Sequence, residues 1–127
     1  MNFSSFLGII VLQVGWTKLG GWWNYADLSA PYWRIYWNDS AGAELRFEGR
    51  KYSLTPNKIF LIAPNTSFSS TPPPLKNETK HFYIHFLIEP QFVSHSPSVF
   101  FFKSDETFSE LIRETILLHE AKDIRAE

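Results

Sequence analysis

The sequence predicts a mainly β domain: a small barrel or sandwich of short antiparallel strands followed by one C-terminal α-helix. Two patterns carry that expectation. Between residues 32 and 102, alternating or continuously apolar runs are separated by turn-forming residues, and after Ser104 the apolar residues recur at helical spacing. Aromatic residues point the same way, since they make up 17 % of the chain and favour strands. A chain of 127 residues suits one domain, and its 44 % hydrophobic content is enough to build a core and excludes intrinsic disorder.

The elements follow in order. Tyr32–Trp37 is a run of β-formers that stops at the turn cluster Asn38-Asp39-Ser40. In Ala43–Glu48 the residues Ala43, Leu45 and Phe47 share one face while Glu44, Arg46 and Glu48 share the other, the pattern of a half-buried strand. Gly49-Arg50 supplies a tight turn, and Lys51–Leu54 returns with Tyr52 and Leu54 in phase. Thr55-Pro56-Asn57-Lys58 is a second turn, with Asn57 suited to a positive φ. Ile59–Ala63 is apolar throughout, so it is expected to be covered on both faces, and Pro64-Asn65 ends it. Ser69–Thr79 holds three consecutive prolines and is expected to be a loop. Lys80–Ile88 alternates again, with His81, Tyr83, His85 and Leu87 on one face and Phe82, Ile84, Phe86 and Ile88 on the other. Pro90–Pro97 is irregular, and Val99–Phe102 is a short strand. Ser104 offers an N-cap with Asp105 and Glu106 in the first turn. Phe108, Leu111, Ile112, Thr115, Leu118 and His119 then form one stripe of an amphipathic helix to about Ala121.

Charge and composition exclude several function classes. Twelve Lys+Arg against thirteen Asp+Glu give a net charge of −1, which excludes a protein working mainly by neutralising phosphates. Residues 81–127 are the acidic part, with four basic against eight acidic side chains, so nothing there resembles a DNA-reading element. The absence of cysteine removes disulfides, thiolate metal sites and cysteine nucleophiles, and fits a reducing compartment, so a cytoplasmic location is expected. The longest apolar run, Phe6–Leu12, is too short to span a bilayer, and the first basic residue, Lys18, follows it, so neither a membrane anchor nor a signal peptide is expected. The sequon Asn77-Glu78-Thr79 is then a chance match.

Catalytic and metal chemistry is thin. His81 and His85 would share a helical face, but in a strand they lie about 13 Å apart at ~3.3 Å per residue, too far for one ion. The serines of Ser67–Ser70 have no nucleophile elbow around them, and Glu44 and Glu48 fall on the solvated strand face. Gly20-Gly21 precedes Trp22-Trp23 and opens no helix, so it is no phosphate loop. No catalytic residue, metal or cofactor is assigned, and no enzyme activity is expected.

The stretch Tyr32–Phe86 resembles a known family. Tyr32–Gly42 leads to Glu44-Leu45-Arg46-Phe47-Glu48-Gly49-Arg50-Lys51-Tyr52, then Leu54-Thr55-Pro56-Asn57-Lys58, Ile59–Thr66, a variable loop and Phe82-Tyr83-Ile84-His85-Phe86. This order is similar to the N-terminal sensor domain of AraC-type transcriptional regulators, a double-stranded β-helix (jelly-roll barrel) of the cupin superfamily. Cupin enzymes carry a His-x-His pair near Tyr32–Trp37 and a further His near Phe68; this chain has Arg34, Tyr36 and Trp37 in the first region and Phe68 itself at the second. The missing ligands fit a sensor. The resemblance implies a cupin-like barrel with an N-terminal arm over residues 1–103 and a helix over 104–127 that serves as a dimerisation element or simply packs on the barrel. It implies a homodimer, a small-molecule effector such as a sugar, and DNA binding only through a C-terminal helix-turn-helix domain absent here. Pocket residues carry over as His81 and Tyr83, with Arg34, Tyr36 and Trp33 from the preceding strand and Trp22 from the arm region, where Trp16, Trp22 and Trp23 are placed to form a lid. Arg34 is placed either to clamp a hydroxyl or carboxylate or to stack on Trp37 at the surface, and His85 reads as a core histidine. Two alternatives stand beside this: a stand-alone, metal-free cupin that binds or converts a carbohydrate, and a structural β-domain that pairs through its aromatic surface.

Overall fold

Strand periodicity resolves into two antiparallel sheets. The structure, a computed structural model, describes residues 8–89 and 95–126. The elements are β1 (Gly8–Lys18), β2 (Trp33–Asn38), β3 (Glu44–Phe47), β4 (Arg50–Ser53), β5 (Lys58–Ile62), β6 (Ser69–Thr71), β7 (Lys80–Glu89), β8 (Val99–Lys103) and α1 (Glu106–Ala126). A five-stranded sheet runs β1-β7-β2-β5-β8, and a three-stranded sheet runs β4-β3-β6. The domain is therefore mainly β with one C-terminal helix. Residues 1–7 and part of the expected irregular stretch, residues 90–94, lie outside the described residues, whereas the expected arm region of Trp16, Trp22 and Trp23 lies within them.

The larger sheet is buried on both faces, and each face has its own core. Its inner face meets the smaller sheet through Tyr36, Phe60 and Ile62 against Leu45, Leu54 and Phe68, with Trp23 closing one end. On the outer face Ile59 and Phe82 pack against Ile112 and Ile116 of α1, with Val14, Trp16, Ile35 and Trp37 around them. Hence β5 is apolar from Ile59 to Ile62: Phe60 and Ile62 point inward while Ile59 points to the helix. The same division splits β7, whose Phe82 and Ile84 belong to the helix side.

Several local expectations are corrected. An eleven-residue strand, β1, occupies residues that the sequence pattern left unassigned, in the region where the resemblance places an arm and first strand, and β6 forms within the stretch expected to be a loop. The β3–β4 hairpin turns on Glu48 and Gly49, with φ of 50° and 77°, the paired positive φ values that suit the right-handed twist of a two-residue hairpin. Asn57 does not adopt a positive φ; Asn65 does, at 58°. The helix is capped by Asp105, whose Oδ1 accepts the Phe108 N–H at 2.8 Å, while Ser104 Oγ bonds Ser109 Oγ. The predicted helical stripe is rotated: Ile112 and Ile116 are buried, whereas Phe108, Leu111 and Leu118 are exposed.

The helix is thus held chiefly by two isoleucines. Ile112→Ala or Ile116→Ala is expected to destabilise the domain by about 2–5 kcal/mol through the cavity each leaves. Leu117→Ala, at a position 64 % exposed, should change stability by less than about 0.5 kcal/mol. Urea unfolding followed by tryptophan fluorescence reads both.

Candidate functional site

Antiparallel register brings the polar residues of the central strands together. Across β2 and β7, Asn38 pairs with His81, Tyr36 with Tyr83 and Arg34 with His85. Across β1 and β7, Thr17 pairs with His81, Gly15 with Tyr83 and Gln13 with His85. Opposed residues share a face, so this side of the sheet carries imidazoles, phenols and a guanidinium in rows. The connection between β1 and β2 folds over them, and the result is a cavity of about 350 Å³ lined by Thr17, Trp22, Trp23, Tyr25, Leu28, Tyr32, Arg34, Tyr36, His81, Tyr83 and His85.

The cover is fixed in place. Leu28 and Phe68 exchange backbone hydrogen bonds of 2.7 and 3.1 Å, Asn65 N–H donates to Ala30 O at 2.7 Å, and Ser70 N–H donates to Tyr25 O at 2.9 Å. Ser70 Oγ also accepts from Tyr25 N–H at 3.0 Å and donates to Trp23 O at 3.1 Å. Trp23 is 3 % exposed and belongs to the core, while Trp22 is 53 % exposed at the cavity edge. Of the three tryptophans expected to form a lid, Trp16 does not reach the cavity: it stacks on Trp37 on the helix side, ring centroids 6.2 Å apart.

The floor is a ladder of rings. His81 lies 5.2 Å from the Trp23 ring and 5.8 Å from Tyr83; His85 lies 4.9 Å from Tyr83 and 4.5 Å from Tyr32. Gly15 makes room for it, because a Cβ there would fall 2.0 Å from the Tyr83 ring. Tyr83 Oη accepts a 3.1 Å bond from Gln13 Nε2–H. His81 Nδ1–H donates to Asn38 Oδ1 at 2.6 Å, which fixes the tautomer and leaves Nε2 as an acceptor. That arrangement leaves Asn38 Nδ2 buried without a partner among the described residues, at a cost of about 1–3 kcal/mol.

Burial sets the protonation of this face. Desolvation, with His85 beside it, lowers the pKa of His81 to about 3, and desolvation, with Arg34 beside it, lowers that of His85 to about 4. Burial raises that of Tyr36 against the opposing pull of Arg34, whose Nη1–H donates to Tyr36 Oη at 2.9 Å. At neutral pH, Arg34 is therefore the one charged side chain lining the cavity.

Five of the six predicted pocket residues line the cavity: Trp22, Arg34, Tyr36, His81 and Tyr83. Trp33 does not, because β2 alternates and Trp33 lies on the opposite face, stacked on Phe86 and edge-on to His95. Arg34 is buried under Tyr32 and Phe68, not stacked on Trp37, for the same reason. His85, read as a core histidine, lines the cavity. Thr17, Tyr25, Leu28 and Tyr32 were not predicted. The aromatic content of residues 22–32 was the available signal, but no periodicity there shows which side chains turn inward. Among the described residues no cluster of three or more His, Cys, Asp or Glu is placed to hold a metal ion, and no helix is long and apolar enough to cross a membrane.

A scan of known protein families and a search of curated proteins found no match to this chain. Among solved structures it is similar to ToxT from Vibrio cholerae, an AraC-family regulator. The 1.65 Å ToxT structure superposes with a TM-score of 0.55 at 13 % identity, over 87 % of this chain and 47 % of ToxT. ToxT bound to (E)-4-(8-methylnaphthalen-1-yl)but-3-enoic acid gives the same values. Wild-type ToxT with an unsaturated fatty acid bound gives 0.51 at 10 % identity, over 84 % and 43 %. The likeness is one of fold, and this chain spans about half the length of ToxT.

Two outcomes test the site. Gly15→Ala is expected to push Tyr83 off β1, break its bond to Gln13 and cost about 1–3 kcal/mol in denaturant unfolding. Acid should destabilise the fold through the two histidines. The unfolded chain binds their protons near pH 6.5, and the folded domain only near pH 4 and 3. Stability should therefore be full above about pH 6.5 and fall as the pH drops through that value toward 4. His85→Gln should flatten part of that fall in urea titrations at stepped pH.

Proposed function

We propose that this chain is the effector-sensing and dimerisation part of an AraC-type transcriptional regulator. The two-sheet domain is read as a cupin-like double-stranded β-helix over residues 1–103, followed by the helical element 104–127. The observation that carries the reading is the covered cavity: a volume of about 350 Å³, near the lower end for small-molecule sites, walled by rings and furnished with a few convergent polar groups. Support comes from the fold shared with ToxT, which has been solved with an unsaturated fatty acid and with a butenoic acid derivative bound.

In this reading the domain is cytoplasmic, binds without catalysis and needs no cofactor. DNA is read by a helix-turn-helix domain outside this sequence. The effector is a small molecule such as a sugar, for which His81 Nε2 and the phenol of Tyr83 would meet hydroxyl groups. Binding shifts the population of arrangements presented to the DNA-binding domains. Dimerisation is assigned to α1, where Phe108, Leu111 and Leu118 form an exposed apolar stripe beside the buried Ile112 and Ile116. The second reading, a metal-free cupin that converts a carbohydrate, predicts turnover of a sugar by the isolated chain.

A panel of sugars and small acids titrated against melting temperature and intrinsic fluorescence tests the reading. At one hundred times its Kd, a true effector adds about 2.7 kcal/mol, or ~10 °C for a domain of this size. Trp22, at the cavity edge, should report it. A panel without any shift overturns the proposal, and a stripe variant, Leu111→Glu, should lower the dimer fraction in sedimentation.

A further inference from the structure

A guanidinium buried without a counter-charge is an expensive thing for a fold to keep. Arg34 is 6 % exposed, and its Cζ lies 5.1 Å from the Tyr32 ring centroid and 5.4 Å from that of Phe68. Among the described residues no carboxylate lies within 4.0 Å of it. The π-faces offset part of the desolvation, but they do not neutralise the charge. Of the five N–H donors of the guanidinium, the described residues satisfy one, the 2.9 Å bond to Tyr36 Oη.

We infer that the cavity takes a small carboxylate with a flat apolar body, its head group on the Arg34 guanidinium beside the Tyr36 hydroxyl. This names the effector class for the function proposed above and rests on that reading. A carboxylate supplies the missing negative charge and matches the planar fork with two parallel hydrogen bonds. Tyr36 Oη accepts from Arg34, and its own proton remains to be donated to the same anion. Burial keeps that phenol protonated. Both imidazoles are neutral, so the cavity offers a single positive charge, which suits a monoanion better than a phosphate ester. Beyond the head group, Tyr32, Tyr83 and His85 present flat faces to an apolar body. A sugar would engage the hydroxyl-binding groups and leave the Arg34 charge uncompensated.

The test uses the full chain with benzoate, cinnamate and octanoate, each beside its neutral amide, together with phenyl phosphate and a sugar panel. Melting temperature and tryptophan fluorescence are followed. At least one acid should bind ten-fold or more tightly than its amide and more tightly than phenyl phosphate. Arg34→Met should abolish that preference while leaving the ligand-free melting temperature unchanged or raised, because it removes a buried unpaired charge. Should Arg34→Met fail to fold, the wild-type comparison of acid with amide and the charge-retaining Arg34→Lys decide the matter. Equal binding of acid and amide, tighter binding of phenyl phosphate, or an acid shift that survives in Arg34→Met overturns the inference. Sugars shifting the protein when no acid does overturns it too, but leaves the effector-sensing function standing. No shift with any compound overturns both.

Discussion

The register between β2 and β7 is the constraint on which the rest of the structure depends. It sets Arg34, Tyr36 and Asn38 opposite His85, Tyr83 and His81, and it sets Trp33, Ile35 and Trp37 opposite Phe86, Ile84 and Phe82. Side chains alternate faces along a strand, so moving β2 by one residue would send the guanidinium toward the helix and its indoles into the cavity, and moving β7 would send the two imidazoles toward the helix. Neither placement could be compensated. The outer core of Ile59, Phe82, Ile112 and Ile116 is apolar, and the cavity would lose the polar groups that the shifted strand contributes. The helix that clamps the outer face therefore also secures the geometry of the inner one.

The cavity illustrates how burial assigns chemical roles within one sheet face. His81 is 2 % exposed, its Nδ1–H is committed to Asn38, and its proton affinity is depressed, so it works as a neutral acceptor. His85 is neutral for a related reason, with Arg34 adding to the desolvation. His81 stacks on Tyr83, and His85 packs against the same ring in a tilted arrangement. This face presents flat rings and directed hydrogen-bonding groups, and both of its imidazoles are neutral near pH 7.

The cover over the cavity differs from a free lid. Residues from Trp23 to Ala30 are hydrogen bonded to Asn65, Phe68 and Ser70, so the covering segment is tied to β6 and to the turn before it. Besides Trp22 and Tyr25 at the cavity, exposed apolar residues include Ile9–Leu12 on the edge strand β1, Phe100–Phe102 on the opposite edge β8, and the stripe of α1. The cavity and the exposed stripe of α1 thus lie on opposite sides of the larger sheet, with its packed outer core between them.

Much of this was legible in the chain. Period-two alternation located β3, β4 and β7, runs of β-formers located β2 and β8, the unbroken apolar run of Ile59–Ala63 announced a strand covered on both faces, and the resemblance to AraC-type sensor domains pointed to His81 and Tyr83. What alternation cannot say is which of two faces meets the cavity and which meets the helix, because the pattern is symmetric between them. Trp33 was misplaced on that account, and the helical stripe was rotated because Phe108 and Leu118 are as apolar as the isoleucines that are buried. Tyr25, Leu28 and Tyr32 were invisible for a different reason: they sit in a connection without periodicity, positioned by backbone hydrogen bonds to residues far along the chain. The sequence by itself determined the elements from β2 to β5, β7, β8 and the helix, and the sets of residues that share a strand face. Only the tertiary structure decided which set encloses a cavity and that Arg34 is buried there without a carboxylate, since both depend on packing between segments that local pattern does not encode.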